Sequence, residues 1–322
     1  MPASKTVLIT GGTSGLGYET AKTLVKQGWH VVITSRDPAR GQQATTRLNE
    51  QTNSSNVIAK ALNLGSQSSI HEVARELKTS LDQPLHAIVC NAGVSLAGIT
   101  QYTEDGIEKT FGVNHLGHFL LVNLLLESLS KPARIIFVSS GTHIPDHTLA
   151  RRLGTPAPIY TNAQELAYPN DKQGGRQVQS LRYTTSKLCN VLCANELARR
   201  LKQCGISTSK TPVDVYSIDP GLMPGTGLSR EYPTALRFVF GMIASVFRPF
   251  VAGIRTPAQS GQDVARLITD STLAGLPEGY YDGQHAVPAS PLAYDLSKAQ
   301  DLWETSTKLV RLTPQQSPLV EG

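Results

Sequence analysis

Cysteine is scarce in this chain, and what there is forms no framework. Four cysteines, Cys90, Cys189, Cys193 and Cys204, are spread over 322 residues without one C-x-x-C pair. Cys189 and Cys193 lie one helical turn apart, but no histidine stands near them in sequence. They read as small buried residues rather than metal ligands, and no metal site is expected. So few cysteines exclude a disulfide scaffold and suit a reducing compartment. Aromatic residues make up 6% of the chain, which leaves the core to Leu, Val, Ile and Ala. No run of Lys or Arg exceeds two residues and no aromatics interleave with a basic stripe, so the net charge of +5 does not mark a nucleic-acid binder. A mild positive excess fits a ligand rich in phosphate instead. The most apolar stretch, Phe238–Phe247, is bracketed by Arg237 and Arg248-Pro249 and is too short to span a bilayer. Met1 passes almost directly into the strand-like Lys5–Thr10, which leaves no room for a signal peptide. A cytoplasmic location is the expectation.

Apolar residues make up 40% of the sequence and charged residues 17%, enough for a large core. Short runs rich in Val and Ile recur at Val7–Thr10, Val31–Ser35, Val57–Leu62, Ala87–Cys90, Ile135–Ser139 and Val213–Ile218. Lacking strict alternation, they suit strands buried on both faces of a parallel sheet. Helix-length segments separate them, from about Leu16 to Gln27 and from about Ala39 onward. The pattern predicts an α/β fold with a doubly wound parallel sheet, one domain over residues 1–322. Two stretches interrupt the rhythm, His143–Gln179 and Leu222–Thr256. Both leave from the carboxyl ends of strands, where open α/β sheets place their ligand crevice, and are expected to form the walls and lid of a substrate pocket. Within the second, Phe238, Val239, Phe240, Met242 and Ile243 would be a costly apolar patch if exposed. The expected substrate is therefore bulky and lipophilic; contact of the same segment with a membrane surface is the alternative.

Between the first strand and the first helix lies Thr10-Gly11-Gly12-Thr13-Ser14-Gly15-Leu16-Gly17. Gly11, Gly15 and Gly17 give a G-x3-G-x-G spacing. Glycine allows the tight turn, missing side chains let the backbone approach a pyrophosphate, and the helix N-terminus offers N–H groups. The second strand ends in Thr34-Ser35-Arg36. An NAD-binding chain usually places an acid there for the ribose 2′-hydroxyl. Neutral Ser35, with Arg36 and one turn later Arg40, favours a 2′-phosphate, and hence NADP(H).

Tyr183-Thr184-Thr185-Ser186-Lys187 places a phenol and an ammonium four residues apart on a helix-length segment that reaches about Lys202. A phenol of ordinary pKa, about 10, is a poor acid–base group at neutral pH. A neighbouring cation stabilises the phenolate and brings that pKa down. Taken with the loop, this pair makes the sequence resemble the short-chain dehydrogenase/reductase family over nearly its whole length. The order of motifs carries the resemblance: Thr10–Gly17, then Asn91-Ala92-Gly93, Asn114 within Val113-Asn114-His115, Ser139-Ser140, Tyr183 with Lys187, and Pro220-Gly221.

The resemblance implies a Rossmann fold and roles by position. Tyr183 is the general acid in reduction and the base in oxidation. Lys187 tunes it and holds the nicotinamide ribose, and Ser140, with Ser139 as second candidate, polarises a substrate carbonyl. Asn114 holds a water in the proton relay. The cofactor is lined by Gly11, Thr13, Ser14, Gly15, Leu16, Gly17, Arg36, Asn63, Leu64, Asn91, Ala92, Gly93, Pro220 and Gly221. Asn63 stands where the family usually has an aspartate for the adenine amino group, and it offers a carbonyl instead. The family's threonine after Pro-Gly falls on Gly225, one position before Thr226. Members often pair through the helix bearing Tyr and Lys, so a homodimer is expected.

The long gap from Ser140 to Tyr183, His115-Leu-Gly-His-Phe119 and Ser186-Lys-Leu-Cys-Asn190 resemble the retinol dehydrogenase and protochlorophyllide reductase branch. Gly227–Glu231 and Leu302–Val310 resemble the lid and closing helix of the latter. Its light-dependent members carry a cysteine directly after Pro-Gly and tend to have threonine in place of Ser140, whereas this chain has Leu222. The resemblance thus implies a carbonyl/alcohol oxidoreductase working in the dark, with light-driven reduction of a C=C bond as the alternative.

Overall fold

The buried tetrad Thr6–Ile9 forms β1, and every later strand is ordered around it. The computed structural model describes residues 5–81, 83–171, 173–223, 253–273 and 279–320. β1 leads over the glycine loop into α1 (Gly15–Lys26), then β2 (His30–Ser35), α2 (Pro38–Thr52), β3 (Val57–Ala61), α3 (Gln67–Ser80) and β4 (Leu85–Cys90). Next come α4 (Lys109–Phe111), a π-helical turn (Gly112–Leu116), α5 (Gly117–Leu125) and β5 (Leu129–Val138). Two short helices, α6 (Thr148–Arg152) and α7 (Ala163–Ala167), lie within the first insertion and precede α8 (Arg176–Gln203) and β6 (Val213–Asp219). The described chain ends with α9 (Pro257–Thr269), β7 (Gly279–Asp282), β8 (His285–Val287) and α10 (Leu296–Leu309).

The strands form one sheet of eight in the order β3-β2-β1-β4-β5-β6-β7-β8. All neighbours are parallel except the β7–β8 hairpin. Successive strand residues face opposite sides. Leu8, Val32, Ile88, Ile135, Phe137 and Val215 join the core formed with α3, α5, α8 and α10. Val7, Ile9, Val31, Ile33, Val89, Ile136, Tyr216 and Ile218 pack against α1, α2 and α9. Both faces are thus covered, as the Val/Ile runs imply, and the fold is the doubly wound Rossmann type. All nine residues of α5 are buried, so this apolar helix serves as core.

The chain reverses direction across the sheet between β1 and β4, the usual place for a ligand crevice. The carboxyl ends of β1, β4, β5 and β6 deliver Gly11, Asn91, Ser140 and Pro220 to that edge. Two features depart from the sequence reading. The helix bearing Tyr183 starts at Arg176, inside the stretch assigned to the first insertion. Its polar first turn, Arg176-Gln-Val-Gln, carries no apolar periodicity to announce a helix. The strands β7 and β8 extend the sheet beyond the six foreseen. Most of the expected lid, with Phe238–Phe247 and Thr226, lies outside the described residues.

Candidate active site

A cavity of about 740 Å³ runs along this edge. Its walls include Gly11, Thr13, Ser14, Gly15, Leu16, Arg36, Asn63, Leu64, Asn91, Ala92, Gly93, Ser139, Ser140, Tyr183, Lys187, Pro220 and Gly221. The motifs scattered along the sequence thus share one space, while Gly17 and Asn114 stand behind its wall.

At one end, Gly11 and Gly15 have φ of +69° and +58°, which a side chain rarely tolerates. A Cβ on Gly17 would lie 2.6 Å from the Gly11 carbonyl oxygen, so the loop and the start of α1 close up only without one. Asn91 supports this turn from β4: its Nδ2 donates to the carbonyls of Thr10 at 2.7 Å and Gly11 at 3.2 Å. The result is an open backbone cradle at a helix N-terminus, the shape and polarity that a pyrophosphate requires.

Arg36 and Arg40 line the cavity beyond β2. Asp37 also lines it and received no role from the sequence. Its Oδ1 accepts from the N–H groups of Ala39 and Arg40, capping α2, and its Oδ2 lies 3.4 Å from Arg40 Nε. The acid is therefore committed to the helix end, and Arg36 remains beside neutral Ser35. Asn63 is also engaged: its Oδ1 accepts from Gly65 N–H at 3.0 Å and its Nδ2 donates to Glu104 at 2.8 Å.

At the other end, Ser140 and Tyr183 line the cavity together, and the serine favours the phenolate form of Tyr183. Ser139 faces away, donating to the Lys187 carbonyl at 2.8 Å. Strand alternation makes this division: neighbours at a strand end point to opposite sides. Lys187 is buried, and its Nζ donates to the Val138 carbonyl at 3.0 Å, an oxygen it shares with Asn190 Nδ2 at 3.1 Å. Burial lowers the Lys187 ammonium to about 8, and Asp219 pulls it back up. Burial also raises the Tyr183 phenol well above its usual range; Asp219 raises it further, and Ser140 opposes both. The expectation that Lys187 brings the phenol down is therefore not met in this arrangement. The ammonium turns to Val138, 5.6 Å from the centre of the Tyr183 ring, and Ser140 is the group favouring phenolate.

Asn114 lies in the π-helical turn, a type of irregularity common at functional sites. Its Oδ1 accepts from Val94 N–H at 2.7 Å, while Nδ2 donates to the Val94 carbonyl and to Ser186 Oγ, each at 3.0 Å. The side chain thereby pins the loop after β4 to the catalytic helix. Its carbonyl accepts from His118 Nδ1 at 3.1 Å, and His118 Nε2 in turn accepts from the Thr10 hydroxyl at 2.8 Å. A carbonyl can only accept, which fixes the tautomer; burial lowers the His118 ring to about 4 and keeps it neutral. His143 acts similarly on Ser140, donating from Nδ1 to its carbonyl at 2.7 Å while Nε2 accepts from Ser290 N–H.

Sequence reading assigned no role to His118, His143 or Asp219. Asp219 ends β6, lines the cavity, accepts from Gly221 N–H and packs against Gly141. Only its position directly before Pro220-Gly221 hinted at it. Leu149, Ala150 and Leu153 of the first insertion, with Leu222 and Met223, give this end an apolar wall. Among the described residues, no cluster of His, Cys, Asp and Glu suits a metal ion, and no helix is long and apolar enough to cross a membrane.

A family model described as short chain dehydrogenase matches residues 5–145, and one described as AcuH dehydrogenase domain matches residues 230–319. The WW domain-containing oxidoreductase of Gallus gallus is 33% identical over 96% of this chain and 69% of its own length. Human retinol dehydrogenase 12 is 32% identical over 95% of this chain and 86% of its own length. A short chain dehydrogenase from Escherichia coli solved with NADPH shares the fold, with a TM-score of 0.58 at 20% identity over 87% of this chain and 97% of that one.

Proposed function

The chain belongs to the short-chain dehydrogenase/reductase family and resembles its retinol dehydrogenases, and from this premise we propose that it interconverts a carbonyl and an alcohol on a bulky lipophilic substrate with NADP(H). The observation that carries the reading is the convergence of Ser140, Tyr183 and buried Lys187 in one cavity, at the end of a phosphate cradle.

The glycine loop and the start of α1 would hold the pyrophosphate, Arg36 and Arg40 the 2′-phosphate, and Asn91–Gly93 the path between. When bound, the nicotinamide supplies or accepts the hydride. The protein's own work is the proton. Ser140 polarises the carbonyl oxygen and Tyr183 delivers a proton to it as negative charge builds there. A phenol held well above its usual range stays protonated at neutral pH, the form that reduction requires. Lys187, sitting near 8, stands close enough to neutrality to restore the proton. Asn114, His118 and Thr10 keep the intervening backbone in place. The apolar wall from Leu149 to Leu153 supports the choice of a lipophilic substrate and a substrate-facing role for the insertion at 143–179. NADP(H) rather than NAD(H) is supported by Arg36 and Arg40 and by the NADPH bound to the E. coli neighbour.

Tyr183→Phe tests the reading. Against a panel of lipophilic ketones and alcohols, followed by NADPH absorbance, the variant is expected to lose turnover while still binding NADPH. Retained turnover would refute the assignment.

A further inference from the structure

Asp219 is a buried carboxylate at the catalytic end of the cavity, outside the family motifs described above. Its Oδ1 accepts from Gly221 N–H at 2.9 Å, and its Oδ2 packs against the backbone of Gly141. Gly221 and Gly141 lie in the turns that leave β6 and β5, and both line the cavity with Tyr183. The contact is tight: a Cβ on Gly141 would sit 2.7 Å from Asp219 Oδ2 and 2.6 Å from His147 Nε2.

We infer that Asp219 is a positioning residue for the proposed reaction: it ties the backbone after Ser140 to the Pro220-Gly221 turn and sets one buried negative charge opposite Lys187. The inference rests on the proposed role of Tyr183.

The charged surroundings support it. From α8, Tyr183 and Lys187 feel the carboxylate. From the first insertion, His147 faces it, and from β7, Asp282 and Tyr280 do. Arg255 donates from Nη1 only to the Asp219 backbone carbonyl, at 3.2 Å, and from Nη2 to Asp282 at 2.6 Å. The guanidinium therefore answers Asp282 and leaves the Asp219 carboxylate to the catalytic pair. At a buried position such a charge acts more strongly than it would at the surface. It favours the proton on both Tyr183 and Lys187, which is the state that donates. Carbonyl reduction is then the direction the site is set for, and oxidation needs a more alkaline solution.

Two neutral variants separate charge from tether. Asp219→Asn keeps an acceptor for an N–H group and loses the charge; Asp219→Ala loses both. Phenolate absorbance is titrated in each variant, with and without Tyr183→Phe and without cofactor, so that the difference reads Tyr183 alone. The pH profile of reduction is measured in parallel. Asp219→Asn is expected to bring Tyr183 ionisation down by about one pH unit and to move the alkaline limb of reduction by the same amount. Asp219→Ala should show that shift plus about a tenfold loss of kcat, because the turn after Ser140 loosens. An unmoved Tyr183 titration in a folded, NADPH-binding Asp219→Asn or Asp219→Ala protein overturns the inference. The titration needs no turnover, so a failure of the catalytic reading shows separately, as activity surviving Tyr183→Phe.

Discussion

The Ser139 hydroxyl donates to the Lys187 carbonyl at 2.8 Å, one residue before the serine that lines the cavity with Tyr183. Two adjacent, chemically identical side chains thus serve different ends. One fastens strand β5 to the catalytic helix; the other faces the cavity.

Ser140→Ala is therefore expected to lower kcat by about 10²- to 10³-fold, the usual loss when one preorganised donor to a developing oxyanion is removed. Melting temperature should hardly change. Ser139→Ala should do the reverse, losing the buried bond to the catalytic helix at a cost of about 0.5–1.5 kcal/mol while most of kcat remains. Steady-state kinetics and thermal melts on the two variants decide; a larger kcat loss in Ser139→Ala would reverse the assignment.

The strands β1, β2, β4, β5 and β6 were legible because their short Val/Ile runs are buried on both faces, a demand that acts residue by residue, while the edge strand β3 shows only its Val57-Ile58 start. The strand β7, Gly279-Tyr-Tyr-Asp282, offers no such run, although its two tyrosines are buried in the two cores on opposite faces of the sheet. The catalytic residues divide in the same way. Tyr183, Lys187 and the glycine loop declare themselves through spacing within one element. His118 and His143 act through Thr10 and Ser290, far away in sequence, and Asp219 through Gly141 of another strand's turn. Such roles exist only after the chain has folded. The raised phenol of Tyr183 could not be foreseen for the same reason: its causes are burial and a carboxylate from β6.

Cofactor choice should rest on Arg36. The Asp37 carboxylate is occupied at the start of α2, so neither Ser35 nor Asp37 offers a free acid for a ribose hydroxyl. A charge-assisted hydrogen bond contributes roughly 1.5–3 kcal/mol, and each 1.4 kcal/mol is about a factor of ten. Arg36→Ala is expected to cut the preference for NADPH over NADH by about ten- to a hundredfold, mostly through KM for NADPH. Comparing kcat/KM for the two cofactors checks it, and an unchanged ratio would remove Arg36 from the site.

Lys187 should make stability depend on pH in a direction that can be worked out. Burial lowers its pKa in the folded chain from the ordinary 10.5 to about 8. Between these values the unfolded chain binds the proton more readily, so this side chain's contribution to stability improves as pH rises from 8 to 10.5. Below that window the full cost of a buried ammonium is present, roughly 3.5 kcal/mol by the ~1.4 kcal/mol carried by each pKa unit. The bond to the Val138 carbonyl, on the order of 1–3 kcal/mol, offsets part of it. Lys187→Met removes the charge and keeps much of the volume. The variant is expected to lose turnover yet melt a few degrees above the wild type near neutral pH, with the gap closing as the solution approaches about pH 10. Differential scanning fluorimetry of both proteins across that range measures it. A gap that stays constant with pH would mean that the ammonium is already well solvated, and with it would fall the role given to Lys187 in restoring the proton of Tyr183.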